Sequence, residues 1–252
     1  MKFTIDLAIG AGAILRKRFN RRLEIAYKGR IDPVTESDLN SEKYITDRIK
    51  KNYPHHEILT EEGSAFGEKS TFRWVIDPLD GTVNYAHSFP VYCVSIGLEF
   101  EGDIILGVVY DPQLDEMFSA REKNGAFLNR TRIHVSKQRK LDRALLATGF
   151  AYDIKTARRN NLDLFARMVK QAEGVRRLGS AALDLCWLAC GRLDGFWELK
   201  LHPWDTAAAK IIVEEAGGKI TRFSGEKYSI FDKEILATNG CLHTAMKKLL
   251  AP

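Results

Sequence analysis

Residues 77–84 read DPLDGTVN and place two aspartates directly after the apolar run WVI at 74–76. The run predicts a short buried strand, so Asp77 stands at its carboxyl end. Asp80 follows three residues later, where a turn can aim both carboxylates at one point. The backbone carbonyl of Leu79, between them, offers a further hard oxygen. The stretch therefore predicts a cation site at the end of a strand.

The same stretch also predicts its own local geometry. Pro78 is expected to end the hydrogen-bond ladder of the strand and to stiffen the turn. Gly81 and Thr82 are typical of a helix start, whose N–H groups can hold a phosphate. The Thr82 hydroxyl can cap that helix or position a water molecule. A phosphate is thus expected next to the cation.

Two further carboxylates are predicted to converge on this place. Glu61 follows a predicted strand at 58–60, and Asp205 begins a predicted helix in PWDTAA at 203–208. Oxygen ligands without His or Cys suit Mg²⁺ or Mn²⁺ rather than Zn²⁺. Carboxylates gathered together repel one another, and a divalent cation removes that repulsion. A single Asp at such a position is more often a turn former or a cap, so the prediction depends on the three segments together.

These motifs resemble those of the inositol monophosphatase family, the Mg²⁺-dependent, lithium-sensitive phosphatases that include small fructose-1,6-bisphosphatases. The matching segments are TEEG at 60–63, DPLDGTVN at 77–84 and PWDTAAAKIIVEEAGG at 203–218, with weaker matches from about residue 5 to about residue 250. The resemblance implies an α/β fold with an α+β first half, arranged as a layered αβαβα sandwich. It also implies a homodimer that hydrolyses phosphomonoesters with metal-activated water.

The resemblance assigns the metal ligands and the catalytic groups residue by residue. It implies two to three Mg²⁺ ions, with Mn²⁺ as an alternative. The first ion is assigned to Glu61, Asp77 and the Leu79 carbonyl, the second to Asp77, Asp80 and Asp205, and a looser third to Glu61. Asp38 and Thr82 resemble the pair that orients and deprotonates the attacking water, and Glu61 is counted with them as catalytic.

The substrate contacts come from the same resemblance. The backbone N–H groups of Gly81 and Thr82 would hold the phosphate, and Glu198 would contact inositol hydroxyls. Lys28 would lie near the metals. The rim of the substrate site and the contacts to a second anionic group are assigned to Gly179, Ser180, Ala181 and either Arg176 or Arg177.

The sequence leaves the substrate open. Hydrolysis of myo-inositol-1-phosphate and related sugar-alcohol phosphates is the leading hypothesis, because the carboxylate of Glu198 suits neutral hydroxyls. Fructose-1,6-bisphosphatase activity, alone or in addition, is the alternative that Arg176 and Arg177 favour. A second alternative is an RNA- or protein-binding role beside catalysis, which only the basic cluster Arg16, Lys17, Arg18, Arg21 and Arg22 supports.

Composition excludes several classes of protein. A chain of 252 residues that is 45% hydrophobic and 28% charged is neither disordered nor a coiled coil. Its net charge of +5 suits an anionic substrate and does not establish a nucleic-acid role. Four cysteines are too few for a disulfide scaffold, and Cys186 and Cys190, four apart in an apolar run, are interpreted as core thiols. No apolar run approaches the roughly 18 residues of a membrane span, so we expect a cytoplasmic protein without a membrane partner.

The pattern of the chain changes near residue 135. Residues 1–135 predict an α+β half with an antiparallel sheet and most metal ligands. Residues 136–252 predict an α/β half with a mixed sheet, which supplies Asp205 and substrate contacts. Among the helices, one is predicted near 156–173, and the first, near 4–19, is expected to bury the face formed by Ile5, Ala8, Ile9, Gly12, Leu15 and Phe19.

Overall fold

A computed structural model describes residues 1–19, 25–28, 32–61, 63 and 70–251, with backbone alone for 25–28 and 32–35. Over these ranges the helices are α1 (Lys2–Arg18), α2 (Glu36–Asn52), α3 (Thr82–Ala86), α4 (Leu162–Val169), α5 (Ala181–Ala189), α6 (Pro203–Glu215) and α7 (His243–Leu250). The strands are β1 (Ile25–Lys28), β2 (Asp32–Thr35), β3 (Glu57–Thr60), β4 (Phe72–Asp80), β5 (Cys93–Phe100), β6 (Asp103–Asp111), β7 (Glu116–Arg121), β8 (Ala126–Leu128), β9 (Thr131–Ile133), β10 (Leu145–Thr148), β11 (Gly174–Arg176), β12 (Gly195–Leu199), β13 (Lys219–Thr221) and β14 (Glu234–Thr238).

The strands form two large sheets and one small hairpin. The larger sheet has the order β3-β4-β5-β6-β7-β8-β9 and is antiparallel except for the parallel pair β3–β4. The five-stranded sheet has the order β11-β10-β12-β14-β13 and is mixed. β1 and β2 pair as two antiparallel strands, and residues 29–31 lie outside the described ranges.

Helices and sheets alternate in five layers. α1 and α2 pack on one face of the seven-stranded sheet, and its other face packs on α5 and α6. The five-stranded sheet covers the far side of α5, and α4 and α7 close its outer face. Each interface between layers is an apolar core, as expected for amphipathic elements that bury one face each. The predicted αβαβα sandwich is confirmed, while a division into halves at residue 135 stays a prediction.

The predicted buried face of α1 is confirmed at Ala8, Gly12 and Leu15 and is wrong at Ile9, which is 47% exposed. Ile5 and Phe19 are partly buried against the same core. The helix approaches the sheet closely at Gly12. A Cβ on Gly12 would lie 2.6 Å from the ring of Tyr110. The apolar period of the helix does not reveal this close contact, since the contact is made with an aromatic ring from a distant strand.

α6 also lies unusually close to the seven-stranded sheet. A Cβ on Gly107 would lie 2.2 Å from the carbonyl oxygen of Ala208, and one on Gly97 would lie 3.2 Å from the Cβ of Ala207. The two glycines therefore set the distance between the sheet and the helix that carries Asp205.

We expect Gly107→Ala to lower the free energy of unfolding by about 3 kcal/mol, because its Cβ meets backbone that has little room to move. Gly97→Ala should cost about 1 kcal/mol, since its contacts are close to ordinary van der Waals distance. Urea denaturation followed by tryptophan fluorescence measures both. Equal losses for the two variants would show that the close approach at Gly107 is not what limits the packing of α6.

All four cysteines are free; Cys93 and Cys186 are buried, Cys190 is half-buried and Cys241 is exposed. In the part of the chain that the structure describes, the helices are too short or too polar to cross a bilayer.

Candidate active site

A bulge in β4 brings the two aspartates of the DPLD motif onto one face of the sheet. Asp77 lies opposite Ser95 of β5 and Asp80 lies opposite Cys93, so three steps along β4 match two steps along β5. Side chains alternate across a regular strand, and the one extra residue places Asp80 on the same face as Asp77. The expectation that Pro78 ends the ladder is wrong, because pairing resumes at Asp80.

Local hydrogen bonds fix the orientation of both carboxylates. The N–H of Leu79 donates to Oδ1 of Asp77 at 3.0 Å. Oδ2 of Asp80 accepts from the hydroxyl of Ser180 at 2.6 Å and from the N–H of Ala182 at 2.8 Å. Ser180 is the N-cap of α5, so Asp80 also joins the seven-stranded sheet to the start of that helix.

Glu61 and Asp205 reach the same place from two other elements. Because β3 and β4 are parallel, their carboxyl ends meet at one edge of the sheet, and Glu61 lies there beside Asp77. Asp205 is the third residue of α6, and its Oδ2 accepts from the N–H of His202 at 2.7 Å. The ring of His202 stacks on Trp204 at 4.9 Å, which agrees with a packing role for both.

Most of the predicted site residues line one cavity of about 570 Å³. It contains the expected ligand set, Glu61, Asp77, Leu79, Asp80 and Asp205. It also contains the expected substrate contacts Gly81, Thr82, Arg177, Gly179, Ser180, Ala181 and Glu198. The walls come from both large sheets and from the two helices between them, so residues far apart in sequence meet at one cavity.

Three predicted residues lie elsewhere or beyond description. Asp38 is fully buried behind the cavity wall, and Oγ1 of Thr82 lies 3.3 Å from its Oδ1. Arg176 is exposed and is not among the described residues that line the cavity, whereas Arg177 is. Neighbouring residues of an extended chain point to opposite sides, so only one of the two arginines can face the cavity. The side chain of Lys28 lies outside the described residues.

The electrostatics of the four carboxylates are unfavourable without a cation. Burial raises the pKa of Asp77 well above its ordinary value, and the charges of Glu61, Asp80 and Asp205 raise it further. Burial and the charge of Asp80 also raise the pKa of Asp205. Burial raises the pKa of Asp80 as well, and the hydrogen bonds from Ser180 and Ala182 at the start of α5 partly offset that rise.

The donor set suits a hard divalent cation. It consists of carboxylates and the carbonyl of Leu79, and mutual repulsion of the carboxylates is the property that a bound cation would relieve. Among the described residues, no three Asp, Glu, His or Cys side chains lie close enough together to hold a metal ion by themselves. Mg²⁺ fits this arrangement, because it keeps several water ligands and needs few from protein.

The cavity also contains residues that the sequence interpretation missed. Asp184 of α5 lines it, although LDLCWLA reads as an apolar core helix. The helix expected near 156–173 begins only at Leu162, and residues 149–153 form part of the cavity wall instead. Asn161 explains the later start, because its side chain donates to the carbonyl oxygen of Gly149 at 2.7 Å and ties the preceding loop to the sheet. The lone acid within an apolar helix was the one local signal for Asp184.

Comparison with known proteins places the site in a family. The family model of the inositol monophosphatase family matches residues 1–252. The inositol-1-monophosphatase of Synechocystis is 44% identical over 253 residues, which cover 100% of this chain and 88% of that protein. The Nus factor SuhB of Salmonella typhimurium is 40% identical, covering 98% and 93%. The solved structure of inositol monophosphatase from Anabaena superposes with a TM-score of 0.91 at 41% identity, covering 99% of this chain and 94% of that one.

Proposed function

This chain belongs to the inositol monophosphatase family of metal-dependent phosphatases, and we propose that it hydrolyses myo-inositol-1-phosphate and related sugar-alcohol phosphates with Mg²⁺. One observation carries the proposal. Four carboxylates that repel one another line the same cavity as Glu198, a buried carboxyl suited to hydroxyl groups. A cation site and a hydroxyl-binding group in one cavity fit a phosphate ester of a polyol.

The ligand assignment is the one that the family resemblance implies. Glu61, Asp77 and the Leu79 carbonyl would hold one Mg²⁺ ion, and Asp77, Asp80 and Asp205 a second. Glu61 would also anchor a looser third ion, and Mn²⁺ could replace Mg²⁺. Bound there, the ions would neutralise the phosphate and lower the pKa of a water molecule.

The chain itself would orient the phosphate and the attacking water. The N–H groups of Gly81 and Thr82, at the start of α3, are the proposed phosphate donors. The hydroxyl of Thr82, within reach of Asp38, would orient the water and pass on its proton. Water attacks phosphorus, the bond from phosphorus to the ester oxygen breaks, and the departing oxygen takes up a proton from solvent to give the alcohol, so no phosphoenzyme forms.

Glu198 is the proposed selector for the polyol. It is 8% exposed on β12, and burial raises its pKa to about 8 although Arg177 opposes the shift. A buried carboxyl can exchange hydrogen bonds with hydroxyl groups, whereas it disfavours a second phosphate.

Fructose-1,6-bisphosphate is the second candidate substrate. Arg177 and Lys233 line the cavity and could hold a second phosphate. The enzyme would hydrolyse both esters if these two cations attract the second phosphate more strongly than the carboxylates of the cavity repel it.

An RNA- or protein-binding role beside catalysis stays the further alternative, which the name of the Salmonella relative favours. The described part of the basic cluster supports it weakly. Arg16 donates to the hydroxyl of Tyr110, and Arg18 pairs with Glu36. Arg21 and Arg22 lie outside the described residues. The homodimer and the cytoplasmic location are likewise proposals, which gel filtration and cell fractionation test.

Phosphate release tests the function directly. Inositol-1-phosphate and fructose-1,6-bisphosphate are compared in parallel while Mg²⁺ is titrated from zero. We expect Mg²⁺-dependent release with a higher kcat/KM for the inositol ester. Comparable values would establish dual activity, and no release from either ester at saturating Mg²⁺ would overturn the proposed function.

A further inference from the structure

Asp184 stands out as an acid in an otherwise apolar helix. All nine residues of α5 are buried, and Asp184 is only 1% exposed. It lies four residues after the N-cap Ser180, and its backbone N–H already donates to the Ser180 carbonyl oxygen at 3.0 Å. The side chain is therefore not needed to complete the start of the helix.

The carboxyl group of Asp184 is incompletely satisfied. Its Oδ1 atom is buried and has no hydrogen-bond partner among the residues that the structure describes. Asp80, which faces the same helix, differs, because Ser180 and Ala182 both donate to it. A buried polar atom without a partner costs about 1–3 kcal/mol, so a leucine would serve α5 better at this position. Asp184 also lines the cavity, so a ligand bound there could supply a donor to its carboxyl group.

The neighbours of Asp184 indicate the chemistry of that ligand. Burial raises the pKa of Asp184 well above its ordinary value, the nearby charges of Glu198 and Asp80 raise it further, and Arg177 lowers the pKa of both Asp184 and Glu198. Glu198 occupies space that only a glycine leaves, because a Cβ on Gly149 would lie 2.1 Å from its Oε1. Two carboxyl groups with a single guanidinium near them disfavour a second phosphate. They suit adjacent hydroxyl groups, which donate to carboxylates and accept from arginine.

We propose that Asp184 is a specificity-determining residue, which accepts a hydrogen bond from a hydroxyl group of a polyol phosphate beside Glu198. The proposal rests on the proposed function. It adds a second carboxyl, from the helix layer, to the wall that recognises the polyol. A site built to bond hydroxyl groups discriminates strongly against an ester that lacks them, because its buried acceptors are then left without partners.

The test compares Asp184→Leu and Asp184→Asn with the wild type on two esters. Inositol-1-phosphate carries hydroxyl groups, and phenyl phosphate carries a ring of similar size without them. For Asp184→Leu we expect kcat/KM on inositol-1-phosphate to fall about 10- to 100-fold, mainly through KM, while phenyl phosphate changes less than about threefold. Asp184→Asn, which keeps one acceptor oxygen, should lose less.

Thermal unfolding separates recognition from a structural role. Asp184→Leu should have a Tm equal to or above that of the wild type, because it fills an apolar helix without an unsatisfied atom. Asp163→Leu is the matched control, since Asp163 is exposed on α4 and lies outside the cavity lining. It should leave the ratio of the two kcat/KM values unchanged.

Each outcome decides one question. An active wild type combined with an unchanged ratio in Asp184→Leu overturns the inference alone. So does a parallel loss on both esters, or a marked fall in Tm for both Asp184 variants. A wild type that releases no phosphate from either ester overturns the proposed function and, with it, the inference.

Discussion

Asp77→Asn should reduce phosphate release from inositol-1-phosphate by roughly 1000-fold or more at saturating Mg²⁺. Asp77 is proposed to contribute to both the first and the second cation site. Asparagine keeps the shape and the Oδ1 atom that accepts from the N–H of Leu79, so the bulge of β4 should persist. It removes the negative charge that a divalent cation requires. Initial rates across an Mg²⁺ titration measure the loss.

The same substitution should raise stability when no divalent cation is present. The pKa of Asp77 is raised by burial and by three neighbouring carboxylates. A carboxyl whose pKa is higher in the folded than in the unfolded protein destabilises the fold at neutral pH, where the unfolded chain carries the charge. We therefore expect Asp77→Asn to have a higher Tm than the wild type in EDTA, and to lose most of the rise in Tm that Mg²⁺ gives the wild type.

Asp111→Asn is the control for this prediction. Asp111 is fully buried at the carboxyl end of β6 in the same sheet, and its Oδ1 accepts from the N–H groups of Gln113 and Leu114. It lies outside the cavity lining, so its variant should keep the rate within about threefold and the response of Tm to Mg²⁺. A wild-type rate in Asp77→Asn would falsify the ligand assignment.

The local motifs predicted the cation site because they combine composition with position. Three carboxylates follow predicted strands and one begins a predicted helix. Their positions alone suggested that they form one group, without knowledge of the topology or the packing. The parallel pairing of β3 with β4 then places Glu61 beside Asp77. Their roles as ligands stay predictions, since geometry alone does not identify a bound ion.

The features that sequence reasoning missed depend on contacts between distant segments. The bulge at Asp80 exists because pairing continues past Pro78 against Cys93, which a turn propensity does not show. Ile9 of α1 is exposed although it belongs to the predicted apolar face, and the ring of Tyr110 lies so close to Gly12 that a side chain there would clash with it. Asp184 is recognised as a candidate site residue only from the fold, in which α5 lines the cavity. In each instance a residue from a distant segment determines the local structure or exposure. The periodicity of the local sequence contains no information about that distant residue.

Thr82 connects the buried Asp38 with the cavity. Its Oγ1 lies 3.3 Å from Oδ1 of Asp38 and 3.1 Å from the carbonyl oxygen of Leu79. A hydroxyl has one proton and donates to one of these two acceptors at a time. If the Leu79 carbonyl is engaged by a cation, donation to Asp38 remains, and Oγ1 can then accept a hydrogen bond from water in the cavity. The hydroxyl thereby orients the water and offers its proton a route towards Asp38.

Thr82→Ala should therefore lower kcat by about 100-fold or more, within the range expected for loss of general-base assistance. Thr82→Ser keeps the hydroxyl and removes only a methyl group, so we expect it to stay within about fivefold of the wild type. Initial rates at saturating Mg²⁺ and substrate, with Tm as a check on folding, compare the three proteins. If serine were as impaired as alanine, the methyl packing of Thr82 would matter rather than its proton. The separation of the two variants thus isolates the hydroxyl as the group that couples Asp38 to the reaction.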